Sequence, residues 1–190
     1  MTAGWSRNRL KFALAGPLFE AGNRFIPGRP HDRLAQLVAD QHPRRVLELC
    51  GGTGYAARLL ADKSPATRVD SLDISPEMLA VGCRRLTRAG IGTVVLHHGD
   101  AAALPFGDST FDVVMSVFGW HELPTETRHR ALDETRRVLR PGGQVIAVDL
   151  DPPPTARAVF DRYMRFAERP HARDVLGTGR TVKIDVFLDL

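Results

Sequence analysis

Residues 46–55 read Val46-Leu47-Glu48-Leu49-Cys50-Gly51-Gly52-Thr53-Gly54-Tyr55, and the organisation of the chain follows from them. Val46, Leu47 and Leu49 make a short apolar strand that closes on a glycine turn, and a helical pattern begins at once. Glycines, lacking Cβ, let the backbone turn sharply and approach a ligand closely. The helix that follows presents unpaired N–H groups to that ligand. This is the order a nucleotide-type ligand requires. The turn alone does not name the ligand, because Gly52-Thr53-Gly54-Tyr55-Ala56-Ala57 also fits the dinucleotide fingerprint G-x-G-x-x-G/A.

Working outward, strand and helix patterns alternate from Arg44 to Leu150. Val46–Leu49 is continuously apolar, as in a strand covered on both faces. Gly54–Lys63 reads as a helix, and Thr67–Ile74 as a second strand carrying Asp73 near its end. Ser75-Pro76-Glu77 is a helix start, with an N-cap serine, proline in the first turn and an acid beside it. That helix runs to Ala89 and stops at Gly90. Thr93–His97 and Phe111–Val117 are the third and fourth strands. A helix over Thr125–Leu139 buries Ala131, Leu132, Thr135, Val138 and Leu139, Arg140-Pro141-Gly142-Gly143 breaks it, and Gln144–Leu150 is the fifth strand. The alternation predicts an α/β fold, a doubly wound, mostly parallel Rossmann-like sheet with helices on both faces. Its ligand belongs at the carboxyl ends of the strands, where strand order reverses. Cys50–Gly54, Asp73, Asp100 and Gly119–His121 all fall at such ends.

Residues 1–43 form an N-terminal helical arm or lid. Phe12, Leu14, Leu18, Phe19 and Phe25 suggest a helix broken at Gly16-Pro17, and His31–Gln41 a better one with Leu34, Leu37 and Val38 on one face. Residues 44–150 form the ligand-binding domain. Residues 151–190 complete it, with a helix over Ala156–Glu168 and a last strand over Thr181–Leu190, where Val182, Ile184, Val186 and Leu188 alternate with polar residues.

A length of 190 residues suits one domain, and 43% hydrophobic with 25% charged residues is ordinary for a globular protein. No apolar run approaches the roughly 20 residues that span a bilayer, and Gly16-Pro17 interrupts any leader-like run. Two cysteines, Cys50 and Cys83, make no disulfide framework, so a cytoplasmic location is expected. The net charge is +4, but the arginines scatter in doublets rather than forming a stripe, so nucleic acid is not the expected partner. His97-His98 near Asp100 could suggest a metal. Adjacent strand residues point to opposite faces, so no metal is expected.

Asp73 lies about 20 residues beyond the glycine turn, where a carboxylate can accept from both hydroxyls of a ribose. Further evidence is Gly99-Asp100-Ala101-Ala102-Ala103-Leu104-Pro105-Phe106, then Asp108-Ser109-Thr110-Phe111-Asp112-Val113-Val114, and Val138-Leu139-Arg140-Pro141-Gly142-Gly143 after the last helix. With these the chain resembles, over residues 44–150, the class I S-adenosylmethionine-dependent methyltransferases, in particular the small-molecule branch of ubiquinone and menaquinone biosynthesis.

The resemblance implies S-adenosylmethionine as cofactor. Gly52 and Gly54, with Gly51 beside them, would line its methionine part, and Glu48 would help hold its amino group through the turn. Asp73 would bind the ribose, with Ile74 and Met78 flanking the adenine. Asp100 would accept from the exocyclic amine, and the Ala101 N–H would donate to the ring. His121 in Phe118-Gly119-Trp120-His121-Glu122-Leu123 is the candidate base, and Trp5, Trp120, Tyr163 and the arm phenylalanines would offer apolar surface to a hydrophobic small-molecule acceptor. One departure stands out: the family turn reads Gly-Cys-Gly-Thr-Gly, whereas Cys50 and Gly51 are exchanged here. Gly51 is expected to restore the room that Cys50 takes. The family fold also ends in a two-stranded hairpin, of which this sequence shows one strand; either the sheet is trimmed, a partner chain covers the exposed edge, as in a homodimer, or the sequence is part of a longer protein. The rival readings are an NAD(P)-dependent oxidoreductase, a non-catalytic S-adenosylmethionine-binding module and, from charge alone, an RNA methyltransferase. Against the first, Tyr-x-x-x-Lys is absent, since Leu59 and Ala167 stand four beyond Tyr55 and Tyr163.

Overall fold

The computed structural model describes residue 22, residues 29–149 and Asp185–Phe187. The expected helices around residues 12–25 and over Ala156–Glu168, and most of the strand expected over Thr181–Leu190, lie outside the described residues. The elements are α1 (Pro30–Ala39), β1 (Arg45–Leu49), α2 (Tyr55–Lys63), β2 (Arg68–Asp73), α3 (Pro76–Ala89), β3 (Val94–His98), β4 (Phe111–Val117), a 3₁₀ turn (Trp120–Glu122), α4 (Thr125–Val138), β5 (Leu139–Val148) and β6 (Asp185–Phe187).

The sheet order is β3-β2-β1-β4-β5-β6. The first five strands are parallel, and the three residues of β6 pair antiparallel with Val145–Ala147 of β5. From β1 the chain winds outward through β2 and β3, then returns to the other side of β1 as β4. Strand order therefore reverses between β1 and β4, which opens a crevice at their carboxyl ends.

Each face of the sheet has its own core. On one, Leu34 and Val38 of α1, Ala57 and Leu60 of α2 and Leu86 of α3 pack on Val46, Val69, Val113 and Ile146. On the other, Ala131 and Val138 of α4 and Leu104 of the β3–β4 connection cover Leu47, Leu72, Val114 and Val145. Leu34 is fully buried, so Leu34→Ala would remove about 2–5 kcal/mol. α3 begins as its sequence dictates, with the Met78 N–H donating to Ser75 Oγ and Gly90 closing the helix at φ 66°.

The amino end of the sheet is fastened by Asp112. Its Oδ2 accepts from the Arg44 and Arg45 N–H groups at 2.9 and 2.8 Å, and the Arg140 guanidinium donates to Oδ1. Burial tends to raise this carboxyl, but those hydrogen bonds outweigh it and hold it below the usual range. β5 corrects one expectation. Arg140-Pro141-Gly142-Gly143 does not precede the strand but lies within it, as a bulge. Phe111 pairs with Leu139 and Val113 with Gln144, so these four residues loop out opposite Asp112, with Gly142 at φ 77°.

Candidate cofactor and acceptor site

The two strand exits that flank the crevice are both strained. Cys50 after β1 has φ 55° and Phe118 after β4 has φ 56°, left-handed conformations that non-glycine residues rarely adopt. Each costs of order 1–3 kcal/mol, and such residues cluster at functional sites. Gly52 and Gly54 continue the turn at φ 57° and 67°, where glycine is at ease.

Asp73, at the end of β2, organises the turn. Its Oδ2 accepts from the Gly52 N–H at 2.7 Å and its Oδ1 from the Ser75 N–H at 2.8 Å. Burial raises this carboxyl, and the Ser75, Gly52 and Ile74 N–H groups and the nearby His98 oppose the rise. A carboxylate offers about four lone-pair positions, so the three N–H donors leave one to receive a further hydrogen bond. Ile74 beside it is 40% exposed and Met78 is buried, its Cε 3.1 Å from where a Gly52 Cβ would stand.

Glu48 lies beneath the turn and is 2% exposed. Ser71 Oγ donates to its Oε2 at 2.5 Å, and the Ala57 N–H also reaches it. Burial, reinforced by the charge of Asp73, pushes the Glu48 carboxyl up to about 7 against those hydrogen bonds. Gly51 is needed for this arrangement, since a Cβ there would stand 2.1 Å from Ser71 Oγ and 2.5 Å from Glu48 Oε2. Gly51 therefore makes room for Glu48 and Ser71. The space for Cys50 comes from Gly119 instead, where a Cβ would meet the Cys50 Cβ at 2.4 Å and Sγ at 3.3 Å. The same position borders Ser116 Oγ, a buried hydroxyl without a hydrogen-bond partner among the described residues. The Cys50 thiol is pushed well above its ordinary value by burial, with the surrounding carboxylates Asp73, Glu122, Asp149 and Asp100 adding to it. It is no ready nucleophile.

Asp100 follows β3 on the surface, with Oδ1 accepting from the Ala102 N–H at 2.8 Å, a turn role that leaves its second oxygen uncommitted. Ala101 is buried beside it. Sequence reasoning missed what holds this loop. From α4, Glu134 accepts the Leu104 N–H at 2.7 Å, while Arg137 donates to the Leu104 and Phe106 carbonyls and pairs with Glu134 and Asp108. The i,i+3 spacing of Glu134 and Arg137 was the only available signal, and it is shared with many solvated helix faces.

The residues expected to hold the cofactor thus gather at one end of the sheet, while Trp5, Phe12, Phe19, Phe25 and Tyr163, expected to face an acceptor, lie outside the described residues. Trp120, expected to face an acceptor, is 7% exposed because the 3₁₀ turn directs it into the core beneath α4. His121 lies in the same turn, and its side chain is outside the described residues. His97 and His98 diverge, the first to Asp70 at 2.7 Å and the second to the Ile74 carbonyl at 3.1 Å. The residues present fit an adenosine cofactor with a methionine tail. A buried carboxylate, Asp73, closes the glycine turn at the end of β2, and Ser116 Oγ, buried and unpaired among the described residues, lies beside Gly119.

Comparison with known proteins gives this pocket its class. A family model described as a methyltransferase domain matches residues 46–143. The demethylmenaquinone methyltransferase of Thermus thermophilus is 33% identical over 165 residues, covering 82% of this chain and 74% of that protein. A SAM-dependent methyltransferase of Aquifex aeolicus superposes with a TM-score of 0.55 at 20% identity, over 70% of this chain and 78% of that one, which shows the shared fold. The [4+2]-cyclase SpnF is 29% identical with a TM-score of 0.55, over 62% of this chain and 44% of its own. S-adenosylmethionine is accordingly the cofactor, and the chain belongs to the class I S-adenosylmethionine-dependent methyltransferases.

Proposed function

We propose that this enzyme moves the methyl group of S-adenosylmethionine to a small, largely apolar acceptor of the hydroquinone type, by in-line displacement. The observation that carries the reading is Asp73, a buried carboxylate tied to the Gly52, Ser75 and Ile74 N–H groups at the carboxyl end of β2, with a lone pair left for a ribose hydroxyl. The hydroquinone class rests on the likeness to demethylmenaquinone methyltransferases.

When bound, the cofactor supplies an electrophilic methyl on a cationic sulfur with a neutral leaving group, so the protein's work is positioning and desolvation. In this proposal Asp73 receives the ribose hydroxyls, Ile74 and Met78 flank the adenine, and Asp100 with the Ala101 N–H reads its edge. Gly51, Gly52 and Gly54 let the turn close on the methionine tail, and Glu48 braces that turn from below. His121 is the candidate to take the acceptor's proton. The division into an arm (1–43), a cofactor-binding unit (44–150) and a closing segment (151–190) belongs to the same proposal. So do pairing of two copies along the sheet edge, the absence of nucleic acid among the partners, and a cytoplasmic location. The two free cysteines support that location, and no helix among the described residues is long and apolar enough to cross a membrane.

Calorimetric titration with S-adenosylhomocysteine, NAD and NADP in parallel tests the cofactor. Binding of the sulfur ligand alone is expected, and binding of a nicotinamide cofactor without it would overturn the assignment. Transfer of labelled methyl to a short-chain demethylmenaquinol tests the acceptor class and separates an enzyme from a binding module.

A further inference from the structure

His31 is a buried titratable group that none of the roles above uses. It opens α1, directly after Pro30, and is 6% exposed. Its place follows from simple lengths. α1 has ten residues and ends six positions before β1 begins. At 1.5 Å per residue it is about 15 Å long, and five strand residues at 3.3 Å cover about the same distance. α1 descends beside the sheet to the amino end of β1, so its own first turn stands level with the carboxyl ends.

The contacts agree. The imidazole meets Tyr55 edge-on with ring centroids 5.2 Å apart, and Phe118 edge-on at 5.4 Å. Tyr55 is the first residue after the glycine turn, and Phe118 is the left-handed residue at the exit of β4. His31 therefore lies over the crevice between β1 and β4, framed by one ring from each side. Its Nδ1 is buried and, among the described residues, has no hydrogen-bond partner.

A packing role alone does not account for this residue. Phenylalanine or leucine would fill the gap between two aromatic rings without burying an unpaired nitrogen, and native proteins rarely leave such atoms unsatisfied without a use. Burial lowers the imidazole pKa to about 4, so the ring is neutral at physiological pH, with one nitrogen protonated and the other a lone pair. Such a ring can accept from a phenolic hydroxyl or donate to a carbonyl, but it does not hold a transferred proton. It can bind and orient an acceptor; it is no general base.

Resting on the methyltransferase reading above, we propose that His31 is an acceptor-binding residue: its Nδ1 hydrogen-bonds a ring oxygen of the hydroquinone, while Tyr55 and Phe118 flank the acceptor's ring. Both flanking residues are only half-buried.

The test uses naphthohydroquinone as probe, under reducing conditions and with saturating S-adenosylhomocysteine, against wild type, His31→Phe and His31→Asn. His31→Phe keeps the ring and removes the nitrogens, and is expected to bind the probe about tenfold more weakly, as loss of one buried hydrogen bond implies. His31→Asn restores a polar atom near Nδ1 and is expected to recover most of that affinity. S-adenosylhomocysteine affinity should match wild type in both. Equal probe affinity in all three proteins would overturn the role of His31 and leave the acceptor class standing. A parallel loss of S-adenosylhomocysteine affinity would also overturn it, by making the residue a support of the cofactor site. Wild type that fails to bind the probe would overturn the hydroquinone reading, and the inference with it. Should His31→Phe not fold, nitrogen-labelled histidine in the wild type decides: the Nδ1 resonance of His31 must shift on adding probe, and an unmoved resonance would overturn the proposal.

Discussion

A Cβ on residue 119 would lie 2.4 Å from the Cβ of Cys50, so Gly119 and Cys50 share one space that only one side chain can occupy. Gly119 has φ −106° and ψ −32°, which alanine adopts freely. The cost of Gly119→Ala is therefore overlap, expected at about 1–3 kcal/mol as for other overpacked sites. Cys50→Gly removes the overlap and relieves a left-handed cysteine. Urea unfolding of the four members of a double-mutant cycle should give a coupling of at least about 1 kcal/mol, with Gly119→Ala tolerated only beside Cys50→Gly. Additive effects would contradict the shared space.

Glu48 predicts an inverted pH dependence. Its folded-state carboxyl is raised to about 7 from an ordinary 4.5. Between those values the folded protein holds a proton that the unfolded chain has released, so stability falls as pH rises through that window and is level above it. The fall attributable to this one group is about 3 kcal/mol. Glu48→Gln keeps an acceptor for Ser71 Oγ and removes the ionisation. Denaturant unfolding from pH 4.5 to 8 should show a flatter profile for the variant and a stability advantage at pH 8. An unchanged slope would show that Glu48 is not the source.

Asp73→Ala should weaken S-adenosylhomocysteine binding by about 2–4 kcal/mol, roughly 30- to 1,000-fold. On the proposed role the ribose loses its acceptor, and the Gly52 N–H loses the oxygen that it bonds in the turn. Asp73→Asn should fall between the two, since an amide offers one acceptor oxygen. Calorimetry reads both, and wild-type affinity in Asp73→Ala would remove the ribose role.

Arg137→Ala should act at a distance. The guanidinium ties the Leu104 and Phe106 carbonyls to α4 and steadies Glu134 on the Leu104 N–H. Hydrogen bonds from Arg137, helped by the Leu104 N–H and by the guanidinium charge, outweigh burial and hold the Glu134 carboxyl below its usual value. Loss of the arginine should cost about 1–2 kcal/mol of stability and speed amide exchange at residues 101–106. The same exchange rates in variant and wild type would place the loop's support elsewhere.

The strand and helix order was legible in the sequence because both faces of the sheet are covered, so strands read as apolar runs and helices as amphipathic ones. The Ser75 cap, the stop at Gly90 and the span of β4 follow from local chemistry alone. Asp73 was legible for the same reason, being fixed by its distance from the glycine turn. What escaped is contact across long sequence separation. Nothing in the sequence pairs Cys50 with Gly119, Glu134 with Leu104, or His31 with Phe118, since each partner arrives on a different element. The Arg140–Gly143 segment misled for a related reason. Proline and glycines signal a break, and only pairing with β4 reveals that the ladder resumes around it.

That bulge has a use in engineering. It absorbs four residues at the amino end of the sheet, while Val113 to Val117 stay in unbroken register with Gln144 to Val148. Chain length at Gly142 is thus uncoupled from the spacing of the strand exits a full strand away, where Phe118 N–H bonds the Val148 carbonyl. A reporter peptide or surface tether spliced in at Gly142 would sit at the opposite end of the sheet from those strand exits, making it the natural attachment point for immobilising the protein.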